Sequence, residues 1–256
     1  MRFAFAAGRL ARSLLATLAL LACASAAPVD PEIPENALRV LFIGNSLTYF
    51  NDLPAVVAAM AIATDQERPP AFAMAAQPDY SLEDHWNDGR ARSAIASGPL
   101  HFVVMQQGPS SLVENRELLR EWTQRFAAPI REAGAIPALY MVWPSSARSA
   151  DFDGVLAAYS GAAAAVGGLF MPAGEAWRAA WRRDSQMALY GPDGFHPSVL
   201  GTYLAALVIF ARLYDVSPDL VPSSFAVGST TLRVPDAVAA HMREAAKEVL
   251  ATYPVN

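Results

Sequence analysis

Continuous apolar runs of strand length recur along this chain, and segments of helical length separate them. The runs lie at residues 38–44, 71–76, 101–106, 136–143 and 168–172. They show no regular alternation of polar and apolar positions. Strands that are buried on both faces have this pattern, and such strands belong to parallel sheets. The runs therefore predict five parallel strands.

The segments between these runs have the length of helices. They lie at residues 53–64, 81–97, 114–133 and 152–166, and Asp52 and Asp151 stand where two of them need an N-cap. The alternation of strand and helix predicts an α/β fold: a three-layer α/β/α sandwich around a flavodoxin-like parallel five-stranded sheet, in the order 2-1-3-4-5. Ligands bind beyond the carboxyl ends of the strands in such sheets, so the chemistry is expected there.

The beginning of the chain has the pattern of an export signal. Three arginines precede an apolar run at residues 14–22 that is too short to span a bilayer, and small residues at 24–26 suit cleavage before Ala27. We therefore expect a signal peptide at residues 1–26 and an exported protein, periplasmic or extracellular.

Cys23 adds an alternative to simple cleavage. The sequence Leu-Leu-Ala-Cys at residues 20–23 resembles a lipobox, whose cysteine would anchor the protein to a membrane through a lipid. Three prolines and three acids at residues 27–37 predict an exposed linker, and residues 38–256 are expected to form one domain.

Composition excludes several kinds of function. The chain of 256 residues is 54% apolar and 17% charged, which is typical of a globular protein, and its net charge of −5 without a basic cluster argues against nucleic acid as a partner. Lys247 is the only lysine, so neither a P-loop nor a Schiff base is available. The single cysteine lies in the leader, so the domain has no disulfide and no cysteine metal site.

The first predicted strand ends in Gly-Asn-Ser-Leu-Thr at residues 44–48. A serine directly after a buried strand and before a helix lies in a sharp turn, with its hydroxyl in the crevice and its backbone N–H placed to stabilise an oxyanion. The same tripeptide is common in ordinary strand-to-helix turns. Ser46 is therefore a candidate nucleophile if a base accompanies it.

A candidate base lies near the predicted last helical region, in Asp-Gly-Phe-His-Pro at residues 193–197. A serine nucleophile needs a base, and the base needs a group that fixes its tautomer. Asp193 and His196, three residues apart on one loop, supply both, and Gly194 allows the bend. The alternative is a turn-forming aspartate beside a surface histidine.

The two blocks together resemble the SGNH (GDSL-like) hydrolase superfamily, from Leu38 to about Leu213. That family carries its nucleophile in an N-terminal Gly-Asp-Ser-like block and an Asp-x-x-His in a C-terminal block. The resemblance implies that Ser46 attacks an ester, His196 is the general base and Asp193 orients it, with no cofactor and no metal. The absence of Gly-x-Ser-x-Gly argues against the α/β-hydrolase elbow.

The family's two middle blocks, which supply oxyanion donors, depart from the pattern here. The second block normally offers a glycine N–H; this chain has Gln-Pro-Asp-Tyr-Ser at residues 77–81, where the N–H of Asp79 or Tyr80 can serve beside that of Ser46. The third block normally offers an asparagine side chain. Here the third strand ends in Gln106 and Gln107, and a glutamine amide can make the same donation. Strand register decides which of the two faces the site, and both remain candidates.

Two further groups of residues each allow a functional and a structural interpretation. The acidic cluster Glu83, Asp84, His85 and Asp88 is either a metal site or, more commonly, the N-terminus of a helix. Trp143 and Trp177 lie near strand exits and either line a pocket for an acyl or sugar group or pack in the core.

The sequence thus predicts an exported serine esterase that acts on O-acyl esters of carbohydrates or of small lipid-like molecules. Two alternatives remain: a non-catalytic binding module for carbohydrate or another ligand on the same fold, and a metal-dependent phosphoesterase.

Overall fold

The computed structural model describes residues 33–255. Its central sheet consists of five parallel strands in the order β2-β1-β3-β4-β5. Their bounds are β1 Leu38–Gly44, β2 Pro70–Ala76, β3 Phe102–Met105, β4 Ile136–Tyr140 and β5 Leu169–Met171. This confirms the predicted fold class and strand order. The predicted leader and Cys23 lie outside the described residues, so the expectations about them stay predictions, as do the predicted domain boundaries.

The register of the sheet brings the ends of its central strands together. Gly44 at the end of β1 pairs with Ala76 at the end of β2, and Ile43 pairs with Met105 at the end of β3. The segments that follow these strands therefore leave the sheet at one edge. The expected crevice lies at this edge.

Helices cover both faces of the sheet. They are α1 Ser46–Tyr49, α2 Leu53–Ala63, α3 Leu82–Asp88, α4 Arg90–Ala96, α5 Val113–Glu132, α6 Phe152–Ala165, α7 Ala173–Arg183, α8 Val199–Tyr214 and α9 Asp236–Thr252. Helices α3 to α6 contact one another in one layer, and α2, α7, α8 and α9 contact one another in the other. Right-handed crossovers in a sheet of this strand order place α2 on one face and α3 to α6 on the other.

Four details differ from the prediction. Gly89, with a φ of 84°, divides the single helix predicted at 81–97 into α3 and α4. Helix α7 was not predicted, nor was an antiparallel hairpin formed by β6 Ser224–Val227 and β7 Thr230–Arg233. Asp151 makes no capping hydrogen bond to α6; its carboxylate instead accepts a bond from Ser111 Oγ at 3.1 Å.

The two tryptophans near the strand exits belong to the core. Trp143 and Trp177 are fully buried and stack with their ring centroids 3.5 Å apart. The indole N–H of Trp177 donates to the carbonyl of Gly201 in α8 at 3.2 Å. The pocket-lining alternative for these two side chains is therefore wrong, because their rings are enclosed by other side chains.

Candidate active site

Ser46 is the first residue of α1, directly after the tight turn at Asn45 that connects β1 to this helix. Asn45 is the N-cap of α1, and its Oδ1 accepts a hydrogen bond from the N–H of Leu47 at 3.2 Å. A Cβ on Gly44 would collide with Thr48 Oγ1 and lie 2.5 Å from Gln106 Oε1. Only glycine fits at position 44, where the strand turns into the helix. The glycine two residues before Ser46 is therefore required for steric reasons.

Gln106 holds this turn from the neighbouring strand. Its side chain is fully buried, and its Oε1 accepts from the N–H of Asn45 at 3.0 Å and from Thr48 Oγ1 at 2.8 Å. Its Nε2 donates to Asn45 Oδ1 at 2.9 Å and to the carbonyl of Gln107. Both N–H bonds of this amide are thus committed to the protein, which leaves none for a substrate.

Gln107 lies on the other side of the strand exit. Its Oε1 accepts from the N–H of Leu82 at 3.1 Å, and its Nε2 donates to Ser110 Oγ at 2.9 Å. An amide nitrogen has two N–H bonds, so one remains. Gln107 and Ser46 line the same cavity.

The backbone of Gln107 is fixed by a buried tyrosine of α6. The hydroxyl of Tyr159 donates to the carbonyl of Gln107 at 2.6 Å, lies 3.0 Å from that of Gly108, and accepts from the N–H of Gln107 at 3.1 Å. Burial raises the pKa of Tyr159 well above its usual value. The phenol therefore keeps its proton for the bond to Gln107.

Asp193 and His196 form a hydrogen-bonded pair on the loop before α8. Asp193 Oδ2 lies 2.5 Å from His196 Nδ1, and Asp193 Oδ1 accepts from the N–H groups of Phe195 and His196, each at 2.9 Å. The bond from His196, followed by that from the Phe195 N–H, lowers the pKa of Asp193 to about 2. The carboxylate is therefore ionised and holds the proton on Nδ1, which leaves Nε2 as the basic nitrogen.

Contacts from the end of β4 hold this loop in place. The indole N–H of Trp143 donates to the carbonyl of Phe195 at 3.0 Å, and the N–H of Ser146 donates to that of Gly194 at 2.8 Å. Gly194 has a φ of 68°, and a Cβ there would collide with Ser146 Oγ. Glycine is thus required twice over, by its backbone angle and by its neighbour.

The first turn after Ser46 brings the two blocks into contact. The ring of Phe50 stacks on the imidazole of His196, with the centroids 4.6 Å apart and the planes at 22°. Phe50 closes α1 by donating its N–H to the carbonyl of Ser46. Ser46 Oγ and His196 make no hydrogen bond with each other in the structure; in the absence of substrate this bond is often long.

A cavity of about 310 Å³ opens beside Ser46. Its lining comes from the exits of β1, β2 and β3, from α3 and α5 and from the His196 loop: Asn45, Ser46, Asp79, Tyr80, Ser81, Glu83, Gln107, Gly108, Pro109, Ser110, Asn115, Leu118, Trp122 and Phe195. Most of these side chains are polar, and no lysine or arginine is among them. The cavity is therefore polar and has no cationic side chain in its lining.

The backbone N–H groups of Ser46 and Asp79 are among those at this cavity that have no acceptor among the described residues. The N–H of Tyr80 donates weakly to the carbonyl of Gln77, at 3.4 Å. Asp79 has a φ of 59°, in the left-handed region that glycine adopts most easily and aspartate tolerates. The backbone conformation here is thus one that suits a glycine, although the residue is an aspartate.

Residues of the acidic cluster around His85 cap a helix and bind the backbone of β1. Ser81 and Asp84 form a capping box at the start of α3. His85 is buried, and its Nε2 donates to the carbonyl of Gly44 at 2.8 Å; burial lowers the pKa of this imidazole. Within residues 33–255 no group of three or more histidine, cysteine or acidic side chains is arranged to hold a metal.

Comparison with solved structures identifies the fold. A protein from Slackia heliotrinireducens that is assigned to the SGNH hydrolases is 28% identical, with a TM-score of 0.60 over 70% of this chain and 100% of that one. A DUF4886 family protein from Bacteroides uniformis is 18% identical, with a TM-score of 0.65 over 86% of this chain and 96% of that one. A variant of an acetyl xylan esterase from Geobacillus stearothermophilus is 16% identical, with a TM-score of 0.56 over 69% and 94%.

The chain therefore has the fold of the SGNH/GDSL-type hydrolases, as the resemblance of its sequence implied. No protein-family model matches the chain, and no curated protein matches it.

The sequence predicts that Ser46, Asp193 and His196 belong to one site, but it does not predict the contacts made by Phe50 and Tyr159. Phe50 follows Ser46 by four residues, one helical turn, which is a signal that the sequence contains. Tyr159 lies 52 residues from Gln107, and nothing local points to their hydrogen bond.

Proposed function

We propose that this protein is a serine esterase that hydrolyses carboxylic esters through an acyl-serine intermediate. Ser46 is the nucleophile, His196 the general base and Asp193 the residue that orients it. The observation that supports this assignment best is the 2.5 Å contact between Asp193 and His196. The imidazole of His196 also stacks on the ring of Phe50, which lies one helical turn after Ser46. The similar SGNH hydrolase and acetyl xylan esterase structures support the same class of reaction.

In the first half of the reaction, His196 Nε2 takes the proton of Ser46 as its Oγ attacks the ester carbonyl. The imidazolium then protonates the alcohol as it leaves, and the acyl group stays on Ser46. In the second half, water loses its proton to the same nitrogen and attacks the acyl-serine. The carboxylic acid departs and Ser46 regains its proton. Asp193 stays ionised and stabilises the imidazolium.

Negative charge develops on the carbonyl oxygen in both halves, and donors must meet it. We assign this role to the N–H of Ser46, the N–H of Asp79 and the remaining amide N–H of Gln107. All three residues line the cavity. The N–H of Tyr80 is the weaker candidate, because it already bonds to Gln77. Gln106 is assigned a supporting role, because both of its amide N–H bonds are occupied.

The substrate is expected to be a small O-acyl ester on a carbohydrate or a similar polar alcohol. The polar cavity lining favours this class, and one similar structure is named as an acetyl xylan esterase. Export fits such a substrate, and it rests on the sequence of residues 1–26 alone. The mass of the mature protein from its host distinguishes cleavage before Ala27 from lipidation at Cys23.

Ser46→Ala tests the proposal. Loss of a triad nucleophile lowers kcat by about 10⁶-fold in the best-studied protease, so hydrolysis of 4-nitrophenyl acetate should fall to background. Ser185→Ala is the matched control, because Ser185 is exposed and is not one of the residues that line the cavity. A Ser46→Ala variant that retains a tenth of the wild-type rate would contradict the assignment.

Three further measurements complete this test. The rates at which esters with acyl chains of different length are hydrolysed show which acyl group the protein prefers. A wild-type protein that binds acetylated sugars but hydrolyses none of the esters would be a binding module. Chelator-sensitive turnover of phosphomonoesters would indicate a metallophosphoesterase instead.

A further inference from the structure

The segment between α1 and α2 has an unusual backbone. Asn51 has φ and ψ of 53° and 20°, and Asp52 has 51° and 56°. Both lie in the left-handed region, which non-glycine residues adopt at a cost, and here two follow one another. Such strain persists only where the surrounding contacts impose it. The contacts of Phe50 and Asn51 show what this conformation achieves.

Asn51 connects the segment to the loop that carries His196. Its Nδ2 donates to the carbonyl of Pro197 at 3.0 Å and to Thr202 Oγ1 at 2.9 Å. Pro197 is the residue next to His196, and Thr202 is a buried residue of α8. Both N–H bonds of the amide are used, so Asn51 holds the His196 loop and the helix that follows it at once.

Phe50 makes the second connection. Its backbone N–H donates to the carbonyl of Ser46, while its ring lies flat on the imidazole of His196. One residue thus contacts the nucleophile through its backbone and the base through its side chain.

We propose that Phe50 and Asn51 are positioning residues, which set the place of the His196 imidazole relative to Ser46. The inference rests on the proposed esterase activity. Asp193 is on the same loop as His196, so their bond fixes the tautomer but not the distance of the loop from Ser46. Trp143 and Ser146 hold the loop from the side of β4. Phe50 and Asn51 connect it to the segment that begins with the nucleophile.

Asn51→Gly separates positioning from stability. Glycine adopts a φ of 53° without strain, and this relief offsets part of the cost of losing the bonds to Pro197 and Thr202, so the fold should be retained. A small displacement of a catalytic group can cost about 10²-fold in rate. We expect kcat for 4-nitrophenyl acetate to fall at least about 10-fold, with KM within twofold and only a small change in Tm.

Asp52→Gly is the matched control. It relieves the same backbone strain one residue later, and the Asp52 side chain makes only a weak capping bond of 3.4 Å to the N–H of Ala55. Its kcat should equal that of the wild type.

Phe50→Leu provides a second test of the same idea. The rate at which a neutral fluorophosphonate labels Ser46 should fall, because labelling requires the base but no ester binding.

The outcomes distinguish the two proposals. Equal kcat values for Asn51→Gly, Asp52→Gly and wild type, or an unchanged labelling rate in Phe50→Leu, would overturn the positioning role while the esterase assignment stands. A loss of kcat that is as large in Asp52→Gly as in Asn51→Gly would also overturn it. If the wild type hydrolyses no ester and takes up no fluorophosphonate, both proposals fail.

Discussion

Asp193 Oδ2 lies 2.5 Å from His196 Nδ1, and the other oxygen of the same carboxylate accepts two backbone N–H groups. The aspartate is thus bound to the imidazole and to the loop that carries it. Because these bonds lower the pKa of Asp193 to about 2, the carboxylate stays ionised at every pH at which an esterase is assayed. An acidic loss of activity must then come from another group.

This predicts the form of the pH profile. Only a neutral imidazole accepts the serine proton. We expect kcat/KM for a neutral ester to fall in acid, where the base is protonated, with no separate step from Asp193 above about pH 3. Asp193→Asn should lower kcat at every pH, by less than His196→Ala does. A rate that stays flat from pH 5 to 9 would contradict a catalytic His196.

The second prediction separates the two glutamines. Gln107→Glu keeps an oxygen for the N–H of Leu82 but removes the amide donor, so kcat should fall about 10²- to 10³-fold with little change in KM. Gln106→Ala should instead lower the melting temperature, because it leaves the buried N–H of Asn45 without its acceptor. Steady-state kinetics and thermal denaturation of both variants measure this. Wild-type turnover by Gln107→Glu would place the oxyanion donors in the backbone alone.

A third prediction concerns the bend in the His196 loop. Gly194→Ala introduces a Cβ against Ser146 Oγ at a φ of 68°, so it should displace the loop and lower both kcat and stability. Gly228→Ala is the control, since Gly228 has a φ of 57° but no atom within 4 Å of the added Cβ. The double variant Gly194→Ala/Ser146→Ala should recover part of the loss in kcat. If Gly194→Ala and Gly228→Ala behave alike, backbone strain alone accounts for the effect.

The sheet could be predicted because its strands are continuous apolar runs and their neighbours have helical length. The hairpin of β6 and β7 could not, because its strands are only four residues long and mostly half-exposed or exposed. Its position depends on packing of β6 against α2, which no local pattern reveals. The break at Gly89 was also missed, because a single glycine is compatible with a continuing helix.

The candidate site also contains residues that the sequence predicts and contacts that it does not. Ser46, Asp193 and His196 belong to short local blocks, so the sequence alone proposes them. Gln106 and Gln107 are adjacent, and alternation along a strand allows either to face the cavity until the pairing of β3 with β1 is known. The hydrogen bonds of Gln106 to Asn45 and Thr48 settle which of the two amides is already occupied. Such long-range contacts have no signature in one sequence.

The final prediction concerns Tyr159, whose hydroxyl bonds to both the carbonyl and the N–H of Gln107. Tyr159→Phe leaves the buried N–H of Gln107 without a partner, at a cost of about 1–3 kcal/mol, and removes one of the two donors to its carbonyl, the other being the Gln106 amide. The freed peptide should also let the Gln107 amide shift, so kcat should fall several-fold while KM changes little.

Tyr140→Phe is the control for this change. Tyr140 is equally buried, but its hydroxyl makes only a 3.4 Å bond, to the carbonyl of Leu47. Its removal should cost less stability and less kcat than Tyr159→Phe. Adding Tyr159→Phe to Gln107→Glu should then lower kcat little further, because the amide that Tyr159 positions is already gone. Fully multiplicative losses in kcat would show that the two residues act independently, and would overturn the positioning role of Tyr159.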